Sequence, residues 1–224
     1  MKTIHLKLYS FSELDEKARE KALAELSGIN VDFDWWDFIY DDVIAIAKTI
    51  GITINPKRIY FRGFYSQGDG STFSATIDLP GLWEAISKEN WKSYAELARL
   101  DFALPDMDRR IIRLLKEGKL DVNPKIEQPR NGYYVRTELN ACLPCNGNEY
   151  PLIEKQLEIL EKGLQEIANM LNDHLFYSLR EEYEYQTSET AVKETIESNE
   201  YWFTSDGKTA TRIDNLADEP QLNE

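Results

Sequence analysis

The sequence predicts a single α+β domain over residues 1–215, with a small, mostly antiparallel sheet, several helices and a flexible acidic tail at 216–224. Three observations carry that expectation. Short runs rich in β-branched and aromatic residues are spread through the chain rather than gathered at one end. Two of them, Ile59 to Tyr65 and Thr72 to Leu79, flank the glycine-rich stretch Ser66-Gln67-Gly68-Asp69-Gly70-Ser71, which reads as a β-hairpin turn. Finally, Ile153, Leu157, Leu160, Leu164, Ile167, Leu171, Leu175 and Leu179 recur at helical spacing, the strongest periodic signal in the chain.

In chain order, Ile4, Leu6 and Leu8 alternate with polar residues and predict a first strand. Ser12 with Asp15 resembles an acidic capping box, and Leu14, Ala18, Ala22 and Leu26 then follow one helical face to Gly28. A second helix is expected from about Asp32 to Ile50, with Gly51 and Pro56 marking its end. After the hairpin, Leu82 to Gly118 reads as helical, broken near Pro105, with Asp106 as a cap for the second piece. Val122 to Ile126 and Tyr133 to Leu139 read as two more strands. Pro151 suits the first turn of the long helix, which should run to about Tyr185. Ser188 caps a short helix to about Asn199. A terminal hairpin around Asp206-Gly207 pairs Tyr201 to Phe203 with Thr209 to Ile213.

Lys and Arg total 26 against 40 Asp and Glu, a net charge of -14. That balance argues against direct nucleic-acid binding and against docking on an anionic membrane, and it suits a basic protein partner. No stretch reaches the roughly 18 apolar residues a bilayer span needs, and the first residues are too short and charged for a signal peptide. A cytoplasmic protein is expected.

Four clusters are candidate sites. The densest is Asp32 to Asp42, in which a helix would place Asp34, Asp37 and Asp41 on one face beside Asp42. Such carboxylates bind a basic partner or a divalent cation; they also suit a solvated helix start, where acids favour the positive end of the dipole. Gln67, Gly68, Asp69, Gly70 and Ser71 form the second cluster. Two glycines there allow positive φ, so successive N–H groups could cradle an anion; a plain hairpin turn explains the same residues. Arg109, Arg113 and Lys116 form a basic stripe that either pairs with the chain's own acids or grips an anion alongside that loop. Cys142-Leu143-Pro144-Cys145 has redox or half-zinc spacing, but ordinary thiols fit it too. With only His5 and His174 available, a Ser–His–Asp triad has little support. No cofactor, metal or catalytic residue is assigned, and the expectation leans towards a non-enzyme.

The words Leu8 to Ala18, Ile29 to Asp32 with Trp35-Trp36, Gly63 to Gly70, and Tyr185 to Glu189 through Tyr201 resemble a family of phage and mobile-element proteins. Its members are often labelled antitoxin of a toxin–antitoxin stability system. The resemblance implies a genomic setting and carries no catalytic residues. Together with the charge, it leads to the expectation of an acidic accessory protein that neutralises a host or toxin protein, with Asp34, Asp37, Asp41 and Asp42 as the contact. A small-anion binder at Gln67 to Ser71 with Arg109 and Arg113, and a metal-dependent hydrolase on Asp34, Asp37 and Asp41, are the alternatives. The long helix packs on its own domain or on a second copy; its spacing leaves both open.

Overall fold

The computed structural model describes residues 7–93, 100–143 and 150–210. It is an α+β chain with a four-stranded antiparallel sheet, a two-stranded one and six α-helices. The described residues that the sequence groups into one domain form two compact units, 7–35 with 181–210 and 36–180.

In the first unit, β1 (Tyr9–Ser10) leads through a 3-10 turn into α1 (Glu16–Glu25). The helix starts three residues later than Ser12 suggests, because the carboxylate of Asp15 accepts from Ala18 N at 2.8 Å and serves as the cap. Ser10 and Glu13 instead close the turn, with Ser10 N donating to Glu13 Oε2 at 2.8 Å. That bond holds the Glu13 carboxyl below its usual range. The end of a long helix, α5 (Pro151–Gln186), passes through Thr187 to α6 (Glu189–Ser198), where Ser188 Oγ accepts from Ala191 N as the sequence predicts.

The strand β6 (Trp202–Phe203) pairs antiparallel with β1, Tyr9 opposite Phe203. Phe203 also bridges to Thr209, so the terminal hairpin forms as far as the described residues extend. Phe11, Leu14, Ala18, Ala22, Val192, Ile196 and Phe203 make one small core. Asn30, buried with its amide, ties this unit together: it donates to Gln186 O at 3.1 Å and accepts from Thr195 Oγ1 at 2.8 Å.

The second unit is built on the meander β2 (Ile52–Arg62), β3 (Gly70–Ile77), β4 (Asp121–Glu127) and β5 (Arg136–Cys142), paired in that order. The helix α2 (Asp37–Thr49) turns at Gly51 directly into β2. Gly51 has φ +76, and a Cβ there would come within 2.8 Å of Leu82 N, so only glycine fits the turn. Pro56, expected to end the helix region, lies inside β2. The strand tolerates it because the register with β3 slips between Ile54 and Ile59, where no ladder N–H is needed.

The segment expected to be helical from Leu82 to Gly118 is shorter in regular structure: α3 (Leu79–Ser87), a 3-10 turn at Asn90–Ser93, and α4 (Arg109–Lys116). The cap of α4 is Asp108, not Asp106; its carboxylate accepts from Arg110 N at 2.8 Å. Within the second unit, α5 covers the sheet face that carries Ile59, Phe73 and Ile126. Ser71 Oγ lies 3.0 Å from both the backbone and side-chain oxygens of Asn172. The Gln165 amide accepts from Thr137 N at 2.7 Å and donates to Val135 O at 3.0 Å, closing the outer edge of β5. Parts of the expectation fall outside the described residues: most of the first strand, Cys145, Thr211 to Ile213, and the tail at 216–224.

Leu171 is fully buried on α5, so Leu171→Ala should destabilise the fold by about 2–5 kcal/mol in urea titration. The exposed Leu152→Ala should move the midpoint little. In the first unit, Gly207 has φ +83 and its Cβ direction points into the carbonyl of Ala18. Gly207→Ala should therefore cost about 1–3 kcal/mol, while Gly118→Ala, also at positive φ (+63) but in open space, should cost less.

Candidate functional site

The acidic helix begins later than its sequence suggests, and this rearranges the first candidate cluster. Trp35 is buried, with its ring 5.8 Å from that of Tyr183. Trp36 packs edge-on against Phe61 at 5.4 Å and is the residue preceding α2. The burial of Trp35 and the contact of half-buried Trp36 with Phe61 hold the chain out of the helix until Asp37, which overrides the carboxylate spacing. Asp34 thus lies in the irregular segment ahead of α2 and does not share a helical face with Asp37 and Asp41. Among the described residues no three His, Cys, Asp or Glu side chains are grouped to hold a metal ion, so the trio proposed for metal-dependent hydrolysis does not assemble.

What α2 does present is a compact acidic strip. Asp37, Asp41 and Asp42 are exposed, while Ile39, Val43, Ile46 and Ala47 are buried. Phe38 is 51% exposed and stands one turn before both Asp41 and Asp42. No ion pair or hydrogen bond among the described residues engages these three carboxylates. The exposed phenyl ring thus stands among three acids on α2. Beside them, the half-buried Tyr40 phenol is pushed up to about 12, first by burial and second by the charge of Asp37.

The glycine-rich turn uses its own acid where an anion nest would need a ligand. The Asp69 carboxylate accepts from Tyr65 N at 2.9 Å and Ser66 N at 2.6 Å, and Asp69 N donates to Ser66 O at 3.1 Å. Gly63 is required because a Cβ there would fall on that carboxylate. Ser71 is buried against Asn172, and Gly70 lies close to the Tyr133 carbonyl. Only Gln67 and Gly68 stay at the exposed tip. The turn is thereby a self-closed hairpin end, and its donors serve the fold.

Of the basic stripe on α4, Arg113 pairs with an acid of the chain, while neither Arg109 nor Lys116 has an ion pair among the described residues. Arg113 Nε donates to Glu117 at 2.7 Å, Arg110 pairs with Asp108 at 2.7 Å, and Lys119 reaches Glu117 at 2.7 Å, while Arg109 is exposed. Cys142 is an exposed free thiol at the end of β5.

Two adjoining open concavities lie in the first unit, about 410 and 370 Å³. Phe11, Ser12 and Glu197 line both, with Glu200 and Trp202 at one end and Arg19 and Lys193 at the other. No local motif marks them, because their walls come from residues almost two hundred positions apart. Among the described residues no helix is long and apolar enough to cross a membrane.

The fold is that of an α+β protein, with an exposed acidic strip on α2. Residues 35–189, well over half of the chain, match the family described as Domain of unknown function (DUF8835), and the chain belongs to that family. No curated protein and no solved structure matches it. Nothing in these comparisons links the chain to the antitoxin-labelled proteins.

The pairing of Asp37 with Tyr40 has a measurable consequence. A phenol whose folded value is raised contributes its full stability below its ordinary value of 10.0 and loses it as pH rises towards about 12. Alkaline titration followed by near-ultraviolet absorbance, differenced against Tyr40→Phe, should show Tyr40 ionising late. Asp37→Asn should bring that ionisation to lower pH, with burial keeping it above the ordinary value.

Proposed function

We propose that the protein is a non-enzymatic accessory protein that docks on a basic surface of a partner protein and occludes it. Such an activity suits the neutralising, antitoxin-like or anti-defence role that a phage or mobile-element setting implies. The observation that carries the reading is the α2 strip: Asp37, Asp41 and Asp42, exposed and unpaired, around the exposed ring of Phe38. Asp37 gains from the positive end of the α2 dipole, whereas Asp41 and Asp42 lie beyond the first turn and have no cation among the described residues beside them, so a basic partner would relieve the repulsion within the strip. Phe38 supplies an apolar anchor of the kind that dominates interface energetics, and the carboxylates supply orientation and association rate. The net charge of -14 acts in the same direction at longer range.

The test is capture from host lysate with the tagged protein, its Asp37→Asn/Asp41→Asn/Asp42→Asn variant and its Phe38→Ala variant, at low and high salt. A basic protein should be retained by the wild type at low salt. It should be bound about ten-fold or more weakly by the triple variant, and lost as salt rises. Phe38→Ala should weaken it at both salt levels. Retention of the same proteins by wild type and triple variant would overturn the reading.

A further inference from the structure

The larger of the two concavities in the first unit takes its walls from β1, β6 and the end of α6. The register sets Ser10 opposite Trp202 and Tyr9 opposite Phe203. Directly opposed side chains share a face, so Phe203 turns into the core while Ser10 and Trp202 turn out of it. At the end of α6, Glu200 N donates to Glu197 O and Tyr201 N to Ile196 O, both at 3.2 Å, the paired closure of a helix terminus. That closure holds Glu200 at φ +52, a conformation in which glycine commonly stands.

The lining of this cavity, about 410 Å³, specifies its occupant. Buried Phe11 and Ile196 give it an apolar floor. Among the described residues the charged groups that line it are two carboxylates, Glu197 and Glu200, both exposed. They stand at the C-terminal end of α6, where the helix dipole is negative too and the last turn holds no basic residue. The wall is the indole of Trp202, 49% exposed; Trp35, Trp83 and Trp91 are buried and Trp36 is half-buried. An indole face attracts cations more strongly than any other aromatic side chain. Carboxylates, helix end and ring thus all favour positive charge. Two cations of the chain line the adjoining concavity. Arg19 spends its guanidinium on the carbonyls of Phe11 and Ser12. Lys193 lies 3.9 Å from Glu197 with both side chains about half exposed, a loose surface pair that leaves the carboxylate open to competition.

We propose that this cavity receives an arginine side chain of a partner protein. The planar guanidinium stacks on Trp202 and forks towards the carboxylates of Glu197 and Glu200, and its apolar stem covers Phe11 and Ile196. Lysine carries a compact, strongly hydrated charge that cannot stack and fork in this way. A neutral apolar group would fill the floor and leave the carboxylates desolvated without a partner. An anion is repelled by the same lining. Two carboxylates do not make a cation cage, and among the described residues no three His, Cys, Asp or Glu are grouped for a metal ion. The cavity is open and adjoins the second concavity of about 370 Å³, so the chain that carries the arginine has room to run on past Ser12 and Glu197. The proposal uses no residue of α2 and does not rest on the acidic strip.

The experiment is a nuclear magnetic resonance titration of the isotope-labelled full chain with the capped tripeptide acetyl-Gly-Arg-Gly-amide at low salt. It reads the indole N–H peak of Trp202, assigned by its loss in Trp202→Phe. A saturable shift is expected, with Kd in about the millimolar range for one exposed side chain. The same peptide with citrulline, which keeps the shape and removes the charge, should bind about five-fold or more weakly, and the lysine peptide about three-fold more weakly. Glu197→Gln and Glu200→Gly should each weaken binding about three-fold; Glu200→Gly also suits the left-handed backbone, so the fold is kept. Lys193→Ala should act in the opposite direction, strengthening binding about two-fold by removing a competing cation. Trp202→Leu, followed by the amide peaks of Ser12 and Tyr201, should weaken it about three-fold. Circular dichroism checks that each variant is folded. No saturable shift, equal binding of the citrulline peptide, or unchanged binding in both glutamate variants would overturn the proposal. Equal binding of the lysine peptide would overturn arginine as the occupant. Asp37→Asn/Asp41→Asn/Asp42→Asn should bind the peptide as the wild type does, so failure here leaves the α2 reading standing, and the reverse also holds.

Discussion

The 36–180 unit depends on one constraint: a four-stranded antiparallel meander is not stable until something covers its apolar face. The cover is α5. Leu157, Leu160, Leu164, Ile167, Leu171 and Leu175 are buried along it. Each such side chain contributes about 1.5–3 kcal/mol on leaving water, which outweighs the weak intrinsic stability of hairpins. Polar contacts then fix how the helix lies. Ser71 meets Asn172 in the middle of the sheet, Gln165 closes the edge of β5, and Gln156 accepts from Asp108 N at 2.6 Å. Burial supplies the energy, and these three contacts supply the register.

The strand β2 shows that cover in its own alternation: Ile59 is buried, whereas Arg58, Tyr60 and Arg62 are exposed. The alternation was present in the sequence from Arg58 to Arg62. Its meaning was hidden because the run reads equally well as β-branched and aromatic strand material, and only the pairing with β3, β4 and β5 fixes its faces. By contrast, the α5 boundaries and the Ser188 cap are local properties, set by apolar period and by one side-chain hydrogen bond, and both were legible.

The misread elements share a physical cause: a tertiary contact outweighed a local preference. Carboxylate spacing from Asp34 to Asp41 suggests one helical face, yet the burial of Trp35 and the contact of Trp36 with Phe61 postpone the helix to Asp37. Pro56 signals a break, yet the slipped register gives it a place in β2. Gln67 to Ser71 has the composition of an anion loop, yet Asp69 fills the donors itself and Ser71 turns inward to Asn172. In each case the residue types were read correctly and their partners, distant in sequence, were not visible.

Net charge and local charge are different quantities. The value of -14 is a sum, whereas a ligand meets a surface. Beyond about one Debye length, exposed charges scarcely influence a bound group, so a face a few side chains across is governed by what stands on it. The α2 strip sets three acids around the exposed ring of Phe38. Such charges add little to stability, since surface pairs are worth under about 1 kcal/mol and these have no pairs at all. The chain ion-pairs Arg110, Arg113, Lys119 and Lys193, while the three acids of the α2 strip have no ion pair among the described residues, so the local character of that strip is set by its own carboxylates and by Phe38.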